Sequence, residues 1–191
     1  MNDLIKNAIR DSIRTKQAIL EDEAFLGKIT EAAQYMITAF KSGNKVLFCG
    51  NGGSAADAQH IAAELSGRFY IDRPPLYAEA LHVNSSYVTA VANDYGYDEV
   101  FARMVEASGK PGDVLVAIST SGNSNSILKT IAVAKSKGMK VLGFTGASGG
   151  KMKDSCDLLL NVPSSDTPRI QEGHILVGHV ICALVEREMF G

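Results

Sequence analysis

Lys45-Val46-Leu47-Phe48-Cys49-Gly50-Asn51-Gly52-Gly53-Ser54 reads as a short apolar strand running straight into a glycine-rich turn. The residues from Ala55 to about Ser66 continue as a helix closed by Gly67. A similar unit lies downstream: Asp113-Val114-Leu115-Val116-Ala117-Ile118 is a strand, Ser119–Ser124 a polar loop, and Asn125 to Lys137 a helix capped by Gly138. Met139–Phe144 and Leu158–Val162 are predicted as further strands, Tyr77–Val83 as another, and Tyr87–Ala92 opens a short helix. Strands that alternate with helices predict an α/β fold with a parallel sheet covered on both faces. Outward from this core, Leu4, Ile5, Ala8, Ile9 and Ile13 recur at helical spacing. A second helix begins after Asp22 as N-cap, carries Leu26, Ile29, Ala33, Met36, Ile37 and Phe40, and stops at Ser42-Gly43-Asn44. At the other end Thr167 caps a long final helix, with Pro168 in its first turn, running to about Met189. The chain divides into N-terminal helices over 1–42 and an α/β core with its C-terminal helix over 45–191, one domain in all.

Composition narrows the function classes. The 191 residues suit one domain, and 46% apolar with 21% charged residues is an ordinary globular balance. A formal net charge of −2 argues against nucleic acid as a partner. No apolar run reaches the roughly 18 residues of a membrane span, and the charged start, MNDLIKNAIRDSIR, lacks a signal-peptide core. Cys49, Cys156 and Cys182 are odd in number and lack metal spacing, so they read as buried thiols in a reducing, cytoplasmic compartment.

The two loops share one design. Each leaves the carboxyl end of a strand and opens a helix, whose free N–H groups and partial positive charge suit a phosphate. Ser119–Ser124 holds four hydroxyls in six residues, a density that favours a sugar-phosphate anchor. Either loop alone also serves as a plain helix cap; two on one sheet point to a ligand. Gly50-Asn51-Gly52-Gly53-Ser54-Ala55 also fits G-x-G-x-x-G/A, but the next strand ends Leu81-His82-Val83-Asn84 without the acidic residue a dinucleotide site needs.

On the helix after the first loop, Ser54 and Asp57 have capping-box spacing. His60 and Glu64, four apart, lie one above the other and can share a divalent metal. Such a pair is commonly a surface hydrogen bond; its place on a helix that opens at a phosphate loop favours the ion. Gln171 and His179 on the last helix are eight apart, about 80° on the wheel, so both can face one cleft. His174 reads as a satisfied core or interface histidine.

Taken together, Cys49 to Arg68, Ala92-Asn93-Asp94-Tyr95-Gly96, Ile118 to Ser124, and Arg169-Ile170-Gln171-Glu172 with His174 and His179 resemble, in order, the motifs of the phosphoheptose isomerases. The resemblance covers essentially the whole chain. It implies the SIS (sugar isomerase) fold, a five-stranded parallel sheet flanked by helices, in a homotetramer. It implies conversion of sedoheptulose 7-phosphate to D-glycero-D-manno-heptose 7-phosphate for lipopolysaccharide or other surface-glycan heptose. By motif, His60, Glu64, Gln171 and His179 would bind zinc, and Glu64 and His179 would be the acid/base pair. Asn51, Gly52, Gly53, Glu64, Asn93, Asp94, Ser119, Thr120, Ser121, Ser124 and Gln171 would hold the substrate. Gly173 departs from the larger helix former expected there. Three alternatives remain at this point: a non-catalytic SIS-fold protein that binds a replication-initiator partner, a sugar-phosphate-sensing regulator, and an isomerase of another sugar phosphate. Glu64 beside the three other ligands favours the enzyme, and the lack of a basic recognition helix disfavours the regulator.

Overall fold

The computed structural model describes residues 1–191. Strands β1 (Val46–Gly50), β2 (Ala78–Ala80), β3 (Val114–Ile118), β4 (Lys140–Thr145) and β5 (Leu158–Asn161) form one sheet in the order β2-β1-β3-β4-β5. Every pairing is parallel, with Gly50 opposite Ile118 and Ile118 opposite Phe144. The loops after β1 and β3 therefore leave the same edge side by side. From β1 the chain moves outward to β2, and from β3 it moves the other way to β4, so these loops flank the point where the strand order reverses, which is where open parallel sheets bind ligands.

Seven helices cover the sheet: α1 (Asn2–Glu21), α2 (Glu23–Lys41), α3 (Gly53–Ser66), α4 (Ser85–Tyr95), α5 (Val100–Ser108), α6 (Asn125–Ser136) and α7 (Thr167–Phe190). Alternation along the strands sorts the two cores. Val46, Phe48, Val114, Val116 and Ile118 face α2, α3 and α7, while Leu47, Cys49, Leu115 and Ala117 face α5 and α6. Both faces of β1 and β3 are buried, hence their unbroken apolar runs. Each such Val, Leu or Ile contributes about 1.5–3 kcal/mol when fully buried. At the opposite edge of the sheet, Lys45 Nζ lies 2.5 Å from Asp113 Oδ2, tying the entry of β1 to that of β3. Burial pushes the Asp113 carboxyl up, but donors from Lys45, Asn44 and Lys110 outweigh it and hold it below the usual carboxylate range.

Most predicted elements appear with ends shifted by a residue or two. Asp22 caps α2 by accepting from Phe25 N–H. The predicted strand 77–83 shortens to three residues at the sheet edge, although Tyr77 C=O and Leu81 N–H still bond to β1. Helix α5 lies where the sequence pattern predicts nothing; it starts directly from a 3₁₀ turn, Tyr97–Glu99, without a polar cap. Two capping assignments need correction. Gly52, at φ 54°, is the N-cap of α3, so the helix begins early, Ser54 is buried inside its first turn, and no Ser54–Asp57 capping box forms. Likewise Asp166 is the N-cap of α7, and Thr167 is its first residue. Gly173 has a packing reason: a Cβ there would meet Val162 at 2.7 Å, so its absence lets α7 settle against the end of β5.

Candidate active site

Helices α3 and α7 run parallel and nearly touch at two levels. A Cβ on Gly53 would lie 2.2 Å from Gln171 Nε2, and one on Gly178 would lie 2.4 Å from Ile61 Cδ1. Glycine at these places lets the helix axes approach, and the approach brings residues 60 and 179 face to face. His60 Nε2 is 3.1 Å from Glu64 Oε1 and 3.3 Å from His179 Nε2. One ligand atom from each of the three side chains falls within 4.8 Å of the others. Two ligands about 2.0–2.1 Å from a tetrahedral zinc lie about 3.3–3.4 Å apart, so the spacing of the imidazole nitrogens fits. The donor set, two neutral nitrogens and a carboxylate, suits zinc as well. His60 is half exposed and Glu64 a quarter exposed, so the group borders solvent.

Gln171 lies higher on α7, with its amide against Gly53. Eight residues of helix separate it from His179, about 12 Å of rise, so the two side chains can meet only by reaching toward each other along the groove. Phe69 stacks on the other side of His179, with ring centroids 5.5 Å apart and planes 26° apart. Asp57, one turn before His60, has an oxygen buried without a hydrogen-bond partner; burial pushes its carboxyl up to about 6, against the pull of His60.

The glycine turn and the hydroxyl loop are bonded together. Asn51 Nδ2 donates to Ser124 Oγ at 2.9 Å and to Ser126 Oγ at 3.1 Å, and Asn51 Oδ1 accepts from Tyr97 OH at 2.9 Å. Both Asn51 amide protons thus go to hydroxyls of the second loop and the helix after it, which makes this side chain a cross-link between the two segments. Ser119 is buried, with its backbone N–H bonded to Phe144 C=O. Thr120 and Ser121 line a hollow of about 270 Å³ with Ser148, Ser164, Ser165 and Thr167. Ser148 comes from the loop after β4, and Ser164, Ser165 and Thr167 close the hollow from the start of α7; all four escape the sequence pattern, where the run Pro163-Ser164-Ser165 reads only as a turn. Asn93 donates to Asp94 Oδ1 at 2.8 Å, both exposed on the last turn of α4, and neither hydrogen-bonds to the two loops. His174 is a core residue: its Nε2–H donates to Thr145 C=O at 3.1 Å beneath Phe144, and burial, against that hydrogen bond, pushes it down to about 4.

The SIS domain model matches residues 9–146. The chain is 53% identical over 190 residues to a phosphoheptose isomerase of Aneurinibacillus thermoaerophilus, covering 100% of this chain and 96% of that one. It is also 53% identical to phosphoheptose isomerase 2 of Campylobacter jejuni, covering 100% and 95%. The solved phosphoheptose isomerase of Neisseria gonorrhoeae superposes with a TM-score of 0.92 at 42% identity, covering 97% and 98%. The chain belongs to the SIS domain family and, within it, to the phosphoheptose isomerases.

Proposed function

We propose that this chain, as one domain over 1–191, isomerises sedoheptulose 7-phosphate to D-glycero-D-manno-heptose 7-phosphate with the aid of zinc. The observation that carries the reading is the convergence of His60, Glu64 and His179 between α3 and α7, beside two loops built to hold a phosphate. The reaction moves hydrogen from C1 to C2 of the sugar and needs no external oxidant. A base removes a proton from C1 while the C2 oxygen gains one, giving an enediol. A proton then returns to C2 while the C1 hydroxyl loses its own, giving the aldehyde.

Glu64 is the base for the carbon-bound proton. One of its oxygens faces His60, and the other takes no hydrogen bond from the protein, so ion binding and proton transfer fall on different atoms of one carboxylate. His179, across the gap, serves the oxygen protons. His60, Glu64, His179 and Gln171 would hold the zinc. When bound, it supplies Lewis-acid stabilisation of the charge that develops on the sugar's carbonyl oxygen. Asn51, the backbone N–H groups of Gly52 and Gly53, the hydroxyls of Ser119, Thr120, Ser121 and Ser124, and the Gln171 amide hold the sugar phosphate in register. Asn93 and Asp94 complete the substrate's surroundings.

The assembly we propose is a homotetramer in the cytoplasm that supplies heptose for surface glycans, lipopolysaccharide among them. The outer face of α1 supports association between subunits, because Leu4, Ile5, Ile9 and Ile13 are all more than half exposed. The three free thiols, two of them buried, suit a reducing compartment. The test incubates purified protein with sedoheptulose 7-phosphate, with and without a chelator, and follows the aldose by NMR. Aldose that vanishes on chelation and returns with zinc supports the reading. Absence of aldose, or near-normal turnover by a folded Glu64→Gln variant, sinks it.

A further inference from the structure

Arg73 and Glu186 form an ion pair whose side chains are each 2% exposed, with Nε 3.1 Å from Oε1. Glu186 also accepts backbone N–H groups from Phe69 at 3.0 Å, Tyr70 at 2.6 Å and Ile71 at 2.9 Å. Burial pushes its carboxyl up, but these donors and Arg73 outweigh it and keep the group ionised. Arg73 in turn donates to the carbonyls of Glu64 at 2.9 Å, Leu65 at 2.7 Å and Gly67 at 3.0 Å, at the end of α3 where helical carbonyls run out of intrahelical donors. The two charges are therefore fully used, and both ends lead to the candidate ion site. Arg73 holds the backbone of Glu64 itself. Glu186 sits seven residues beyond His179, within about 20° of the same face of α7, and it fixes the backbone of Phe69, whose ring stacks on His179.

A buried ion pair is a poor device for stability alone, since apolar residues of similar volume do as well or better. We infer that Arg73, Glu186 and Phe69 form a positioning clamp, which sets the separation of α3 from α7 at the site and the plane of the His179 ring so that Glu64 and His179 face one ion. This rests on the metal site proposed above. None of the three residues touches the ion or the sugar; they act through the groups that do, as outer partners of metal ligands generally act.

The test has one arm with metal and one without. In the first, cobalt(II) is titrated into chelator-treated wild type, Phe69→Leu and Phe69→Tyr, and the dissociation constant is read from the visible absorption of the bound ion. Phe69→Leu leaves the Arg73–Glu186 pair and the residue 69 amide in place but removes the stack. It is expected to weaken cobalt about 10–100-fold, and Phe69→Tyr, which keeps the ring, to hold wild-type affinity. In the second arm, the ring-proton shifts of His179 are measured without metal. The displacement that the Phe69 ring imposes is expected to collapse in Glu186→Gln as it does in Phe69→Leu. Equal cobalt affinity in all three proteins of the first arm, or an undisturbed His179 ring in a folded Glu186→Gln, overturns the clamp. Should Glu186→Gln not fold, the Leu and Tyr variants at 69 decide. If wild type takes up no cobalt, the metal reading fails, while the His179 shifts still judge the clamp.

Discussion

The Nε2 atoms of His60 and His179 stand 3.3 Å apart although 119 residues separate them in the chain. Two imidazoles placed this way, with Glu64 Oε1 3.1 Å from the first, make a site whose affinity belongs to the trio. Replacing either histidine by Ala is expected to lower zinc affinity by more than the roughly 100-fold that loss of an outer-shell partner costs. Competition against a chromophoric chelator measures it. Circular dichroism of both variants is expected to match wild type, because the group borders solvent.

Close approach of α3 and α7 is a condition for that site. Gly178→Ala puts a methyl 2.4 Å from Ile61 Cδ1, and the overpacking is expected to cost about 1–3 kcal/mol in urea unfolding. Because the helices are pushed apart where His60 and His179 meet, zinc affinity is expected to fall too. Ile61→Ala, which removes both carbons the methyl would meet, Cδ1 at 2.4 Å and Cγ1 at 2.7 Å, is expected to cost less beside Gly178→Ala than it does alone, a coupling that two unrelated effects would lack.

Tyr97→Phe tests the cross-link between the loops. It deletes one hydrogen bond to Asn51, worth about 1 kcal/mol, at a half-exposed position. The melting temperature is expected to stay near wild type. KM for the sugar phosphate is expected to rise about fivefold, the equivalent of that energy, with kcat little changed. Steady-state kinetics on the two proteins decides.

Stability should fall on acidification through His174. Its pKa in the folded chain is down at about 4, against an ordinary value of 6.5, so between these values the unfolded chain binds more protons and stability rises with pH. Its full contribution is present above about 6.5 and is lost as pH falls toward about 4. The loss between pH 7 and pH 5 is expected to be about 2 kcal/mol. His174→Gln is expected to flatten that part of the curve, read by urea unfolding at several pH values. An equal slope in both proteins contradicts the assignment.

What the sequence discloses is what local pattern can carry. The apolar runs at 46–50 and 114–118, the glycines and hydroxyls after them, and the four-residue step from His60 to Glu64 are all properties of short windows. His179 stands out because an imidazole in an apolar helical run needs a partner. The rest depends on contacts between distant segments. Glu186 looks like one more charge near the C-terminus until residues 69–73 are folded beneath it, 113 to 117 positions away. Nothing in the window around Asn51 tells that its side chain also ties Ser124, Ser126 and Tyr97 together. The Ser54–Asp57 spacing misleads because Gly52 starts the helix sooner than a serine cap would. Helix α5 has no cap and only nine residues, too little of either signal to register.

Helix α3 runs unbroken from the glycine turn at Gly53 past His60 and Glu64. His60 stands seven residues on from Gly53, a rise of about 10 Å. Under the proposed reading this interval is a ruler, with the anionic tail of the sugar moored at one mark and its reactive carbons due at the other. A sugar two carbons shorter, tethered the same way, stops short of the second mark. Discrimination by length would then be written in a tally of backbone units, and retuning it would call for adding or deleting a helical turn.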